Sequence, residues 1–331
     1  MMNASRSPVQ SIALTAFHED RPGPRWRQLY DATWPAYQSW YLQPGTGRRP
    51  TVSEAEGALL RHMPELHPTW KRLVSLTGRN PTTASMLTGW NMPAFAPACS
   101  QVVTNTGQRA LIRNYDYHPD LFEQVVMSTR FCDREVIGTG DCLWGLLDGM
   151  NSDGLAISLT FGGARGSGTG FGIPLVVRYL LEVAGTVADA VTAVSRIPVS
   201  MSYNLTLTDR TGDYRTVYLA PGVFEQRDCP LATNHRFGEP EDAAHARRFR
   251  SLERQAHLRG LLADQLPPDQ VAEEFLRPPL RSPQYANGFG TLYTADYRPD
   301  SGEVHYRWPG TTWSRRFGST DAEIRLDVPA A

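Results

Sequence analysis

No stretch of the 331-residue chain approaches eighteen consecutive apolar residues, which excludes a hydrophobic transmembrane helix. The beginning of the chain carries one Arg and only a short apolar patch. It lacks the longer apolar core of a secretory signal, so a soluble, cytoplasmic protein is expected. An excess of one charge is missing too. The 33 basic and 34 acidic residues leave a formal net charge of −1, and nothing in that balance calls for nucleic acid or a membrane surface as partner. Cysteine is scarce. Cys99, Cys132, Cys142 and Cys229 form no CxxC pair and stand near no His cluster, which argues against a zinc site and, without an export signal, against a disulfide framework. The glycine-rich segment 162–172 lacks the Lys-Ser/Thr ending of a phosphate loop, so a nucleotide is not expected there.

What is present suffices for a sizeable core, with 41% hydrophobic residues. The texture changes near residue 98. Trp26, Trp34, Trp40, Trp70 and Trp90, five of the eight tryptophans, precede it. Between residues 25 and 41, Trp26, Leu29, Tyr30, Trp34, Tyr37 and Trp40/Tyr41 recur at spacings of three and four, a helix with a broad aromatic face. Thr51-Val-Ser-Glu54 reads as a helix start running on through Leu59, Leu60 and Met63. Residues 1–98 are therefore expected to be a mostly helical segment, and 99–331 a separate unit.

That second unit reads as antiparallel. Segments 101–104 and 110–117 flank a turn at Asn105–Gly107. Segments 143–147 and 155–161 flank a turn through 148–154. Two further pairs, 203–209 with 214–220 and 290–297 with 303–308, flank their own turn residues. Helices are expected from Pro174 through Leu181, from a capping-box-like Thr186-Val-Ala-Asp189, and over 243–262. Antiparallel sheets with packed helices make an α+β layered domain.

Folding the first hairpin about Asn105–Gly107 lays Arg113 across from Cys99, within one residue of register. A guanidinium beside a thiol favours the thiolate. Asp116, three residues on, falls on the opposite face under strict alternation and needs a bulge or a strand end to join them. The same spacing is equally that of a cross-strand Arg–Asp pair beside a buried Cys. On the late helix Ser251, Arg254 and Leu258 share one face, so Arg254 either points inward at an active-site acceptor or belongs to a solvated basic helix with Arg247, Arg248, Arg250 and Arg259.

Ala98-Cys-Ser100 followed by Arg113-Asn-Tyr-Asp-Tyr117 resembles the opening of the penicillin acyltransferase-like and choloylglycine hydrolase-like families of cysteine N-terminal-nucleophile enzymes. The likeness continues in order through Asp148-Gly-Met-Asn-Ser-Asp-Gly-Leu-Ala-Ile157, Gly172-Ile-Pro-Leu-Val-Val-Arg178, Ala232-Thr-Asn-His235, the Ser251/Arg254/Leu258 helix and Thr291-Leu-Tyr-Thr-Ala-Asp-Tyr297. It covers residues 99–310. The resemblance implies a four-layer αββα sandwich whose nucleophile begins a strand. It assigns the thiol nucleophile to Cys99, thiolate support to Arg113, retention of the freed α-ammonium to Asp116 and an oxyanion donor to Asn234. At Thr160 related enzymes commonly carry Asn as a second oxyanion contributor, and this chain departs from them. Ser251 and Arg254 are candidate substrate or oxyanion contacts.

A free amine at Cys99 requires autocleavage between Ala98 and Cys99. Relatives often have Gly before the nucleophile where this chain has Ala. The two fragments would then stay associated. The expected activity is amide hydrolysis or N-acyl transfer through an acyl-thioester on a small amide, lipid amide or peptide-like metabolite. No metal or cofactor is implied; acyl-CoA is admitted as a cosubstrate, and homo-oligomerisation is left open. Two alternatives stand beside this one: an uncleaved thiol hydrolase using His235 as base, and a non-catalytic binding protein. Cys132, Cys142 and Cys229 have no supporting constellation and are expected to be structural.

Overall fold

The computed structural model describes residues 9–45, 47–95, 98–164, 166–241 and 243–329. Its strands are β1 (Val9–Glu19), β2 (Ala98–Thr104), β3 (Ala110–Tyr117), β4 (Val125–Thr129), β5 (Val136–Asp141), β6 (Gly145–Asn151), β7 (Ala156–Phe161), β8 (Tyr203–Thr208), β9 (Tyr214–Ala220), β10 (Val223–Arg227), β11 (Leu231–Thr233), β12 (Pro283–Gln284), β13 (Phe289–Arg298), β14 (Glu303–Trp308), β15 (Thr311–Arg316) and β16 (Ala322–Pro329). Its helices are α1 (Pro24–Tyr41), α2 (Val52–His62), α3 (His67–Leu76), α4 (Pro81–Met86), α5 (Ile173–Val183), α6 (Val187–Val194), α7 (Ala243–Phe249), α8 (Ser251–Ala263) and α9 (Pro268–Phe275).

The strands form two sheets. One runs β10-β9-β8-β7-β6-β5-β4-β1-β16; the other runs β11-β2-β3-β13-β14-β15, with β12 on β13. The sheets face each other where β2 and β3 meet β7 and β8. Helices α5 and α6 cover the outer face of the first sheet, and α8 and α9 that of the second. This is the four-layer αββα sandwich. Helix α5 is buried along almost its whole length and lies close on β6. A Cβ on Gly145 would sit 2.6 Å from Pro174 Cβ, and one on Gly149 would sit 3.0 Å from Leu181, so both positions need glycine for that approach. Among the described residues no helix is long and apolar enough to cross a membrane.

Local chemistry sets most boundaries. Thr51 and Glu54 close a reciprocal capping box on α2, and the Thr186 hydroxyl accepts the Asp189 N–H at the head of α6. Two expectations are corrected, and the leading segment, besides its helices, holds a strand. Its alternation of buried Ile12, Leu14 and Ala16 builds β1, which pairs in parallel with β4 and antiparallel with β16. The turn expected through 148–154 is shorter, because β6 extends through Asp148 to Asn151. The helix expected over 243–262 breaks at Arg250, which adopts left-handed backbone (φ 48°) between α7 and α8.

The leading segment also shares the main core. Trp26, Tyr41, Leu59 and Leu73 are buried in the same cluster as Cys99 and Tyr115. Hydrogen bonds join Trp26 Nε1 to the Leu143 carbonyl (2.9 Å) and Trp144 Nε1 to the Leu87 carbonyl (2.8 Å). Each large side chain buried this way contributes roughly 1.5–3 kcal/mol.

Candidate active site

The hairpin register places Cys99 opposite Tyr115 and Gln101 opposite Arg113. Arg113 is therefore two residues from the Cys99 pair, beyond the one residue expected. A shift of two preserves the face, and the diagonal is within reach of a long side chain. Arg113 Nη2 lies 2.9 Å from Cys99 Sγ. The rest of the guanidinium is tied down between the sheets. It pairs with Asp148, donates to the Tyr293 hydroxyl (3.2 Å) and the Leu159 carbonyl (3.3 Å), and lies over the Tyr115 ring at 4.9 Å. Only its Nε is buried without a partner.

Asp148 is the residue that sequence reasoning passed over. Inside a glycine-flanked segment it reads as part of a turn. In β6 its carboxylate instead accepts Arg113, the Tyr293 hydroxyl (2.6 Å), the Tyr297 hydroxyl and the Thr139 hydroxyl (2.8 Å). The signal that could have found it is the need of a buried Arg113 for a counter-charge.

Asn234 follows β11, whose Thr233 pairs with Ser100. One residue further on, its side-chain oxygen accepts the Cys99 backbone N–H at 2.8 Å. Arg254 Nη2 donates to the same oxygen at 2.8 Å. With that oxygen committed twice, the NH2 group is turned the other way, where it meets the Phe161 carbonyl at 3.4 Å. Arg254 is buried, unlike the exposed Arg247, Arg248, Arg250 and Arg259, so the inward reading of this side chain is the observed one. Its remaining donors go to the Cys99 carbonyl, the Ser100 hydroxyl (2.7 Å) and the Phe249 carbonyl (2.8 Å).

The other sequence-derived residues sit one step further out. Strand alternation holds, and no bulge in β3 brings Asp116 to the sulfur. Asp116 stands opposite Ala98 and accepts the Thr291 hydroxyl at 2.6 Å. Burial lifts its carboxyl to about 6, against the pull of Arg254, Thr291 and Arg113. Thr160 donates to the Thr233 carbonyl (3.1 Å) and accepts from Asn204 Nδ2 (3.3 Å). Asn204 Nδ2 also donates to the Thr233 and His235 carbonyls, so Thr160 and Asn204 fix the loop that carries Asn234. Ser251 accepts the Thr233 hydroxyl on its carbonyl (3.0 Å) and meets His245 Nε2 at 3.2 Å. It braces β11 rather than the thiol. His235 points its Nε2 at the Glu239 carbonyl (2.6 Å).

Cys99 is wholly buried. Burial pushes its thiol up to about 11, while Arg113 and Arg254 pull the other way. The thiolate expected from Arg113 alone is thus outweighed by desolvation. Cys132, Cys142 and Cys229 are free thiols, also raised by burial. Among the described residues no group of three or more His, Cys, Asp or Glu side chains is placed to hold a metal ion.

No curated protein matches the chain. Among solved structures it is similar to a mutant of the conjugated bile acid hydrolase from Clostridium perfringens, at 13% identity over 68% of this chain and 96% of that one, with a TM-score of 0.46. It is similar to penicillin V acylase from Agrobacterium tumefaciens, at 16% identity over 69% and 91%, TM-score 0.45. It is also similar to a Caenorhabditis elegans ortholog of N-acylethanolamine-hydrolyzing acid amidase, at 15% identity over 61% and 93%, TM-score 0.45. The family model described as acyl-coenzyme A:6-aminopenicillanic acid acyl-transferase matches residues 103–313. That span holds Arg113, Asp148, Asn234 and Arg254 and is more than half of the sequence, so the chain belongs to the acyl-coenzyme A:6-aminopenicillanic acid acyl-transferase family.

Proposed function

We propose that the chain cuts itself between Ala98 and Cys99 and then works as a cysteine N-terminal-nucleophile enzyme on a small amide, carrying the acyl group as a thioester on Cys99. The observation that carries this reading is the pair of contacts at one residue: Arg113 at 2.9 Å from the Cys99 sulfur and Asn234 at 2.8 Å from its backbone nitrogen. In the cleavage step the sulfur attacks the Ala98 carbonyl carbon, the C–N bond to Cys99 breaks, and the nitrogen leaves as a free amine. Water then hydrolyses the thioester, giving the Ala98 carboxylate and the thiol. The freed amine takes the thiol proton in turnover. Asp116, opposite the position that Ala98 vacates, holds that amine when it is charged.

The burial of Cys99 fits a sealed precursor. In the uncleaved chain desolvation holds the sulfur protonated. Once cleavage admits water to it, that penalty falls and the pull of Arg113 remains. Strand β1, set between β4 and β16, supports retention of the smaller fragment, since its loss would strip a strand from within the sheet. His235 is committed to the Glu239 carbonyl, which favours this reading over a Cys–His hydrolase.

The test is the mass of the purified protein together with labelling by an acyl thioester. The parent should yield two associated fragments with the acyl mass on the one beginning at Cys99. Cys99→Ala should stay one unlabelled chain. An intact, unlabelled parent refutes the proposal. Adding amines to the labelled enzyme separates transferase from hydrolase, since only a transferase needs the amine to release the acyl group.

A further inference from the structure

A cavity of about 340 Å³ opens where the leading segment meets the head of the nucleophile's sheet. Tyr37 and Trp40 of α1, Phe95, and Tyr117 just beyond Tyr115 form aromatic walls; Glu123 and Asp141 bring carboxyl groups to it. One Glu123 oxygen accepts the Leu143 N–H at 2.6 Å. The other is buried without a hydrogen-bond partner. Asp141 accepts the Tyr37 hydroxyl and the Cys142 N–H, both at 2.9 Å. Among the described residues that line the cavity there is no Lys or Arg. A buried Asp141 beside a half-buried Glu123, without a counter-charge, is costly. Burial holds both above the ordinary carboxylate range, Glu123 further because Asp141 stands beside it.

A cation answers that arrangement. The carboxyl groups supply the charge, the unpartnered oxygen supplies an acceptor, and the ring faces suit an organic ammonium better than a hydrated metal ion. The cavity also lies close to the chemistry. Phe95 is four residues before Cys99, a span of at most about 14 Å. The Tyr115 ring, from the residue paired with Cys99, packs at 5.8 Å from Tyr117 and 5.9 Å from Phe122 of the cavity wall.

We propose that this cavity binds an organic ammonium group and that the amide acted on at Cys99 therefore carries a cationic amine. The substrate half of this statement rests on the proposed thiol chemistry; the binding half does not.

The probes are phenethylammonium and its neutral counterpart 2-phenylethanol, titrated calorimetrically into the full-length protein at neutral pH. The ammonium should bind at least tenfold more tightly than the alcohol. Glu123→Gln and Asp141→Asn, checked by thermal melting, should each weaken it at least tenfold. Equal affinities for the two probes, no ammonium binding, or undiminished binding in both folded variants would overturn the site; the comparison of probes needs no variant. Acyl labelling of Cys99 is read on the same samples. Ammonium binding without a label leaves the site standing and removes the thiol reading. A label without ammonium binding removes the site alone.

Discussion

Two buried polar clusters lie on either side of Tyr115, and they differ in how their charges are met. On the sulfur side, Arg113 faces Asp148, and Asp148 takes three hydroxyl donors besides. Arg254, with no acid in direct contact among the described residues, spends its donors on the Cys99 and Phe249 carbonyls, the Ser100 hydroxyl and the Asn234 side chain. On the cavity side, Glu123 and Asp141 share aromatic walls, the Tyr37 phenol donates to Asp141, and one Glu123 oxygen is left without a partner. A network whose acid and base are paired fixes geometry even with Arg113 Nε left bare, and fixed geometry is what a nucleophile and an oxyanion donor require. An unsatisfied one leaves an electrostatic demand that an occupant can meet. On the proposed chemistry, the first cluster serves positioning and the second recognition.

The sharpest way to break that comparison is to unbalance the satisfied side. Asp148→Asn leaves Arg113 buried without its counter-charge, and urea unfolding should register a loss of about 3–5 kcal/mol. The double change Arg113→Met with Asp148→Leu removes both charges. It should recover a large part of that stability while leaving Cys99 unlabelled by acyl thioesters. If the single and the double variant lose the same stability, the pair is not a charge-compensated unit and the contrast between the clusters fails.

How far this was readable beforehand follows from distance along the chain. The hairpin β2–β3 was legible because its turn residues are local, and α2 and α6 because their caps lie within four residues of each other. The register was off by two residues, since the turn signal locates a hairpin without fixing the pairing. Cys99 and Arg113 nevertheless came out as neighbours, because an offset of two preserves the face; Asn234 came from the family resemblance and Arg254 from its spacing on the late helix. Strand β1 was not read because its partners β4 and β16 lie in remote parts of the sequence. The break at Arg250 carries no Gly or Pro to announce it. Asp148 hid in turn-like composition. Glu123 and Asp141 belong to separate elements, and only the tertiary fold makes them one site.

The unsatisfied side can be tested through pH. Burial raises Glu123 from its ordinary 4.5 to about 8 and Asp141 from 3.8 to about 6. A carboxyl whose folded pKa exceeds its unfolded value binds protons more readily when folded. Its stabilising contribution is thus complete below about pH 4 and is lost as the pH rises through the folded value, here between about pH 4 and 8. Glu123→Gln should flatten this decline and make the protein more stable than the parent at pH 8, by about 1–2 kcal/mol in denaturant melts. Phenethylammonium should give the parent, and not the variant, a matching gain at pH 8. A parent whose stability is flat from pH 5 to 8 would place both acids in an ordinary, solvated setting and erase the difference between the clusters.

The smallest effect is expected at the residue that sequence alone made a rival base. His235 is buried next to Asn234, yet its Nε2 is directed at the Glu239 carbonyl and its ring lies 6.2 Å from that of His245. A general base contributes about a hundredfold or more to turnover. His235→Asn removes only a brace of the loop after Asn234, so turnover of an acyl substrate should fall by less than about tenfold and the two fragments should still form. A loss of a hundredfold with intact processing would move the base from the Cys99 amine to His235. The satisfied cluster would then be an incomplete description of the catalytic centre, because its proton acceptor would lie outside it.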